Sequence, residues 1–396
     1  MSRIALLASL LILVAAPARA QVEVVPLAAP DAFSTAGRDT GLPSELWRGT
    51  PVETARIVLP MLAEKPLSPA AEALARRVLA TGARGPEGST GDEALAGARA
   101  SALLALGDVA AAARILDRAP ALDRNAALSR AAAETALLTG DVTRACQVAD
   151  ALSTGRGETY WLRLRAFCQA EAGQTAQAQL TFDLAQAQAR DATYGRLMTA
   201  KLGGGEPGAA SLRNGLDLAL SRGLGLDLTS AKPAPNVAMA MFGTEPPVPT
   251  FDVVAIDASI GGLAASLYTG LPPEGGVSAL IGAAAEGEGK SQARLQSAAL
   301  LIAALANDLP GPDRAKLSTF AAPEGKAPAG RNLAMAAAAD TKRMGEAALL
   351  ALWTSAEAGA GGPVLADRVR IIHTLSRVGL VDDARAFALE GLAALK

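Results

Sequence analysis

ALLALGDVAAAARIL (102–116), TALLTGDVTRACQVA (135–149) and AFCQAEAGQTAQAQLTF (166–182) carry the pattern that decides the fold. Gly107, Gly140 and Gly173 recur every 33 residues. Five residues after each stands an alanine (Ala112, Ala145, Ala178), and seven before each stands another (Ala100, Ala133, Ala166). A fixed period of this length marks stacked supersecondary units, none of which buries its apolar face alone. Each unit reads as helix, Gly-Asp or Gly-Gln, helix. Glycine accepts the left-handed conformation needed just past a helix C-terminus. Asp108 and Asp141 follow at once, placed to cap the next helix. The alanines answer a packing need, because a side chain larger than methyl pushes closely crossing helices apart. The expected fold is all-α, a solenoid of α-α hairpins.

The same register returns at the C-terminus, in IIHTLSRVGLVDDARAFALEG (371–391), where Ala384 follows Gly379 by five. Upstream, Thr50 is expected as an N-cap with Pro51 as the first helical residue and Glu53 as its capping-box partner. A second start follows at Ser68-Pro69. Two helices in a hairpin are therefore expected before the repeats, as the unit that shields the first repeat's open face. Residues 21–49, with Pro26, Pro30 and Pro43 and no sustained period, read as an extended, poorly ordered lead-in. An N-terminal array is expected over 50–202, a Gly/Pro-rich break with one or two helices over 203–249, and a C-terminal array over 250–396. A bend or sub-domain boundary is expected near Thr250, after the linker TEPPVPT (244–250).

These hairpins resemble the tetratricopeptide repeat, whose period is about 34 residues and whose second helix carries A-x-x-x-F. That motif stands literally in Ala178 to Phe182, and with a large apolar residue in Ala112 to Leu116. Ala145 is followed by Ala149 instead, and the family's tryptophan and terminal proline are missing at their places. The resemblance covers about 100 residues and one distant unit, and it implies a superhelix that grips peptides on the face of its first helices. By the register, Arg130 and Arg163 fall 33 apart on that face, near Tyr160, Glu134 and Phe167. Aligned arginines hold a carboxylate through charge-assisted hydrogen bonds. A solvated helix face explains the arginines equally well, and core packing is the alternative for Tyr160 and Trp161.

Composition bears on compartment. MSRIALLASLLILVAAPARAQ opens the chain, with Arg3, an apolar run from Ile4 to Ala16, and an A-x-A site at Ala18-Arg19-Ala20. This reads as a secretory signal peptide cleaved after Ala20, the alternative being an uncleaved anchor. Arginine outnumbers lysine 29 to 8 and alanine makes up close to a quarter of the chain, the mark of a GC-rich bacterial genome. Together these place the protein in a Gram-negative periplasm. Formal charge is −2 with no charge block, which disfavours nucleic acid and anionic membrane surfaces.

Cys146 and Cys168 are the only cysteines, in a chain bound for an oxidising compartment. They are about equidistant from a turn near Gly155 to Gly157, on consecutive antiparallel helices. A disulfide is expected, worth about 3 kcal/mol for a loop of roughly 20 residues. Two buried free thiols are the alternative.

Catalytic and cofactor signatures are sparse. His373 is the single histidine, which excludes paired-histidine metal sites. No G-x-S-x-G elbow accompanies it. AAEGEGKS (284–291) fits a loose phosphate-loop pattern, with VVAID (253–257) imitating a magnesium-binding strand. Glu286 and Glu288 would face the anion, and a helix–helix turn is the better reading. No catalytic residue, metal or cofactor is assigned. The expected role is a non-catalytic periplasmic scaffold or adaptor for protein or peptide partners. The rivals are a cell-wall turnover enzyme on a helical superhelix, and a structural subunit of an envelope complex.

Overall fold

The computed structural model describes residues 33–395 apart from 118, 120, 121, 243–257, 271–275, 287 and 307. The expected signal peptide, the expected linker TEPPVPT, VVAID and the expected boundary near Thr250 lie outside the described residues. Among those described the chain is all-α. The helices are α1 (Val52–Glu64), α2 (Pro69–Ala80), α3 (Glu93–Ala105), α4 (Val109–Leu116), α5 (Ala126–Thr139), α6 (Val142–Ala151) and α7 (Thr159–Glu171). There follow α8 (Thr175–Gln188), α9 (Ala192–Lys201), α10 (Gly215–Gly223), α11 (Pro235–Phe242), α12 (Ala258–Thr269) and α13 (Gly276–Glu286). The last six are α14 (Gly289–Ala303), α15 (Gly311–Leu317), α16 (Ala329–Asp340), α17 (Met344–Ala358), α18 (Leu365–Arg377) and α19 (Val381–Ala393).

The periodic glycines end first helices as the register requires. Gly107, Gly140, Gly173 and Gly379 all have positive φ, between 73° and 92°. At each, the following N–H reaches back to a carbonyl five residues earlier, as Asp141 does to Ala136 at 2.8 Å, closing a Schellman turn. Asp108 and Asp141 then accept from the N–H groups of Ala111 and Arg144, while Gln174 makes no such side-chain bond. The flanking alanines 100, 112, 133, 145, 166, 178 and 384 are all fully buried. The hairpins α3/α4, α5/α6, α7/α8 and α18/α19 follow.

A fifth hairpin, α16/α17, hides its register behind a lysine. Lys342 occupies the left-handed position with φ 56°, Arg343 N–H reaches Ala338 O at 2.9 Å, and Ala347 stands fully buried five residues on. The Lys342 ammonium bonds the Arg377 carbonyl at the end of α18, an interaction a glycine lacks.

The N-terminal elements depart from expectation. Residues 33–49 are packed rather than loose: Phe33, Leu46 and Trp47 are buried, and Phe33 meets Trp47 edge-on at 5.9 Å. Arg99, itself fully buried, donates to the carbonyls of Thr35, Leu79 and Thr81 and stacks on Phe33. Burial of large aromatic surface and a satisfied arginine outweigh the irregular backbone of this stretch. Thr50 does not cap α1. Its carbonyl accepts from Glu87 N–H, holding Thr50 and Pro51 extended, so that Pro51 takes the cap position and the helix opens at Val52.

Nor do α1 and α2 form a self-contained shielding hairpin. α1 packs on α3 and α17, and α2 packs on α17 and α19, so the two ends of the chain meet. Gly345 N–H donates to Leu46 O at 2.9 Å, and Arg77 pairs with Asp383. Ser68 leaves its hydroxyl without a partner, and the α2 N-terminus is capped instead from α19: Ala70 N–H donates to Glu390 Oε2 at 2.9 Å. Glu390 Oε1 takes the buried Arg368 guanidinium.

Two substitutions test this account by denaturant unfolding. Gly173→Ala meets no neighbour within 4 Å, so its cost is the left-handed backbone alone, about 1–2 kcal/mol. Glu390→Ala leaves Arg368 buried and unpaired, and is expected to cost about 3–5 kcal/mol. A loss below 1 kcal/mol in the latter would mean that the seam between the chain ends does not depend on this carboxylate.

Candidate functional site

The first helices of the units were expected to present one long open face. Part of that face is occupied by the chain itself. α10 and α11 both pack on α5. Gly215 sets the closeness of the α10 approach: a Cβ there would lie 2.7 Å from Glu134 Oε2 and 2.9 Å from Leu137 Cβ. Its N–H donates to Glu134 Oε2 at 2.9 Å. Asn214 caps α10 by accepting from Asp217 N–H.

Beside that contact a cleft of about 340 Å³ stands open where α5, α7, α9 and α10 converge. Arg130 and Glu134 enter from α5, one turn apart. Tyr160 and Arg163 come from α7, with Glu158 and Thr159 at its N-terminus. Tyr194 comes from α9, Asp191 caps that helix, and Asn214, Leu216 and Asp217 come from α10. The structure thus brings together four of the five residues that the register placed on this face. Phe167 is the exception: its ring is buried in the core, because the stripe Tyr160, Arg163, Phe167 runs inward by its third member. Trp161 is likewise core, fully buried, with its ring 5.0 Å from that of Tyr160.

The two arginines do not form a free cationic column. Each lies over the tyrosine of the next unit, Arg130 over Tyr160 at 4.7 Å and Arg163 over Tyr194 at 5.3 Å. Arg163 is further engaged by Asp191 Oδ2 at 3.4 Å and the Ala189 carbonyl at 2.8 Å, while its buried Nε has no partner. Arg130 is exposed, and among the described residues no acid lies within ion-pair distance of it.

The carboxyls fall into two kinds. Asp191 is saturated: it accepts from the N–H groups of Thr193 and Tyr194, from Arg213 at 3.1 Å and from Arg163. Burial works against its charge, but the Tyr194 N–H and the two guanidiniums outweigh it and hold its pKa below the usual carboxylate value. Asp217 is buried and takes Ser211 Oγ at 2.7 Å and Arg213 Nε at 2.6 Å. Glu134 is the other kind. Withdrawal from water pushes its pKa up, against the Gly215 N–H, the Tyr160 hydroxyl and Arg130. That hydroxyl lies buried beside the carboxyl, and burial first, then the Glu134 charge, raise it well above its ordinary value.

Cys146 on α6 and Cys168 on α7 have their sulfurs at bonding distance, with Cα atoms 5.5 Å apart, which ties the unit bearing Arg130 to the unit bearing Tyr160. His373 stands exposed on α18, its pKa lowered by desolvation and then by Arg377. Within AAEGEGKS, residues 284–286 end α13 and residues 289–291 open α14. No grouping of three metal-ligating side chains exists among the described residues, and no described helix is long and apolar enough to cross a membrane. Comparison with protein-family models, with curated proteins and with solved structures finds no match.

Asp191, Tyr194 and the α10 residues escaped the sequence reading because the 33-residue register fades after Arg190. One signal was present. Tyr194 follows Tyr160 by 34 residues, and α9 ends in a positive-φ glycine, Gly203, as the earlier first helices do.

Asp191→Asn isolates the charge from the cap, since asparagine caps a helix as well as aspartate. The folded pKa of Asp191 lies below its unfolded value, so its contribution is fully present above about pH 4 and is lost as pH falls through the folded pKa. The variant is expected to be less stable than the parent at neutral pH, the gap closing in acid, as read from denaturant midpoints. A gap that persists unchanged in strong acid would show that the charge plays no part.

Proposed function

We propose that the protein is a non-catalytic binding scaffold of the bacterial cell envelope, which engages protein or peptide partners through the α5/α7/α9/α10 cleft. The observation that carries this reading is an exposed guanidinium at that cleft. Arg130 lies over the Tyr160 ring and makes no ion pair with any acid among the described residues. A partner's carboxylate answers an exposed guanidinium of this kind through charge-assisted hydrogen bonds. The hairpin register supports a tetratricopeptide-like superhelix. The A-x-A leader and the disulfide support export into an oxidising periplasm, with cleavage after Ala20.

A cell-wall turnover enzyme is the second reading, and one observation favours it. Glu134 and Asp191 share a cleft with their pKa values displaced in opposite directions, the pattern of an acid paired with a base. Against it, both Asp191 oxygens are occupied by donors, so neither is free to activate water or attack a sugar.

In-cell photocrosslinking separates the readings. A photoreactive residue at Thr159, on the cleft rim, is expected to give adducts of defined mass that Arg130→Glu abolishes. The same residue at Ile57, exposed on α1, is expected to give none that depend on Arg130. Absence of Arg130-dependent adducts, together with release of soluble fragments from purified peptidoglycan, would replace the scaffold with an enzyme.

A further inference from the structure

The charges around the cleft say more about the partner than that it carries a carboxylate. Six charged side chains line it: Arg130, Arg163, Glu134, Glu158, Asp191 and Asp217. Two of the acids are answered from within. Arg163 and Arg213 face Asp191, and Arg213 also reaches Asp217, so two cations balance two anions at the back of the cleft. Glu134 is held by the Gly215 N–H and carries a raised pKa.

Two groups make no ion pair with any described residue, the Glu134 carboxyl that Arg130 acts on being one whose pKa burial raises. Arg130 is exposed at the mouth, held in place by the Tyr160 ring beneath it. Glu158 is exposed at the start of α7, where its side chain makes no capping bond, and among the described residues no base lies within ion-pair distance of it. A plain carboxylate would meet Arg130 but also face Glu158 and Glu134. A plain cation would meet Glu158 but face Arg130. Like-charge juxtaposition in a partly desolvated site disfavours both.

We infer that the cleft selects a short peptide element that is zwitterionic, with its carboxylate on Arg130 and its cationic nitrogen on Glu158. A chain end that finishes in lysine or arginine carries both charges within one residue. An acid and a base side by side inside a chain supply the same chemistry. At about 340 Å³ the cleft lies at the small end of the range for ligand sites, which suits one or two residues and not a broad protein surface. The inference rests on the cleft being the partner site, and it adds the cation and the size.

Titration calorimetry on the full mature chain tests it with four probes: Ac-Ala-Ala-Ala-Lys with a free carboxylate, its C-terminal amide, Ac-Ala-Ala-Ala-Ala with a free carboxylate, and Ac-Ala-Glu-Lys-Ala-amide. The first is expected to bind at least tenfold more tightly than the second and third. The fourth reads whether an internal acid–base pair serves as well as a chain end. Arg130→Gln is expected to make the free acid and the amide of the lysine peptide equal. Glu158→Gln is expected to make the lysine and alanine free acids equal. Both side chains are exposed, and an unchanged melting temperature in each variant confirms that the fold is intact. Equal binding of the lysine and alanine acids by the parent protein would overturn the inference in favour of a plain carboxylate site. Adducts at Thr159 without binding of any probe would overturn the inference alone. Absence of both would overturn the partner site as well.

Discussion

On each helix of the periodic hairpins a fully buried residue near the turn has a methyl group as its entire side chain. Ala100 with Ala112, Ala133 with Ala145, and Ala166 with Ala178 stand fully buried on either side of their turns, and most of the architecture descends from that limit. Close crossing demands a tight reversal, which the left-handed residue between the helices supplies. Tight reversal fixes the register, so that the next unit presents its first helix at a constant offset. A larger side chain at any of these alanines would overpack the crossing, at about 1–3 kcal/mol. Because the offset is constant, an arginine on one first helix reaches a tyrosine on the following one, as Arg130 does Tyr160 and Arg163 does Tyr194. The packing constraint in the core thereby sets the chemistry at the surface.

An array of this kind would ordinarily leave two open ends and one long open face. Here both are largely closed by the chain itself. α17 and α19 pack on α1 and α2, and the seam is made of groups that complete each other: an uncapped α2 N-terminus, a carboxylate from α19 and a buried arginine from α18. α10 folds back on α5, admitted by the missing side chain of Gly215. The cleft lies beside this contact, and its position follows from where α10 begins. The disulfide lies on the same two units, so the relative placement of Arg130 and Tyr160 is held by a covalent bond as well as by packing.

How far this was legible in the sequence depends on the kind of contact. The hairpins at Gly107, Gly140, Gly173 and Gly379 were legible because each rests on local rules, a turn residue and its flanking alanines. The hairpin at Lys342 was not, because the residue in the left-handed position is one that rarely adopts it, and the compensating bond to Arg377 is tertiary. Residues 33–49 read as a loose lead-in because nothing local orders them; Phe33, Trp47 and the Arg99 hydrogen bonds do, from elsewhere in the chain. For the cleft, the periodic residues Arg130, Glu134, Tyr160 and Arg163 were placed by counting. The half contributed by α9 and α10 follows no period, and Phe167 shows that a correct register does not say where a helix stripe turns inward.

The same division of labour bears on what the cleft does. A catalytic pair needs one carboxyl that holds a proton and another whose oxygens are free to act. Burial raises the Glu134 pKa and so works toward the first requirement. Asp191 fails the second, because the depressed pKa that makes it resemble a base arises from the donors that occupy it. Its charge is consumed in holding α9 against α7 and in orienting Arg213 toward Asp217. The opposite displacement of the two carboxyls is therefore the signature of a buried wall and a helix cap that happen to adjoin. Arg130 and Glu158, exposed at the cleft and outside any ion pair among the described residues, are suited to holding charge rather than moving protons.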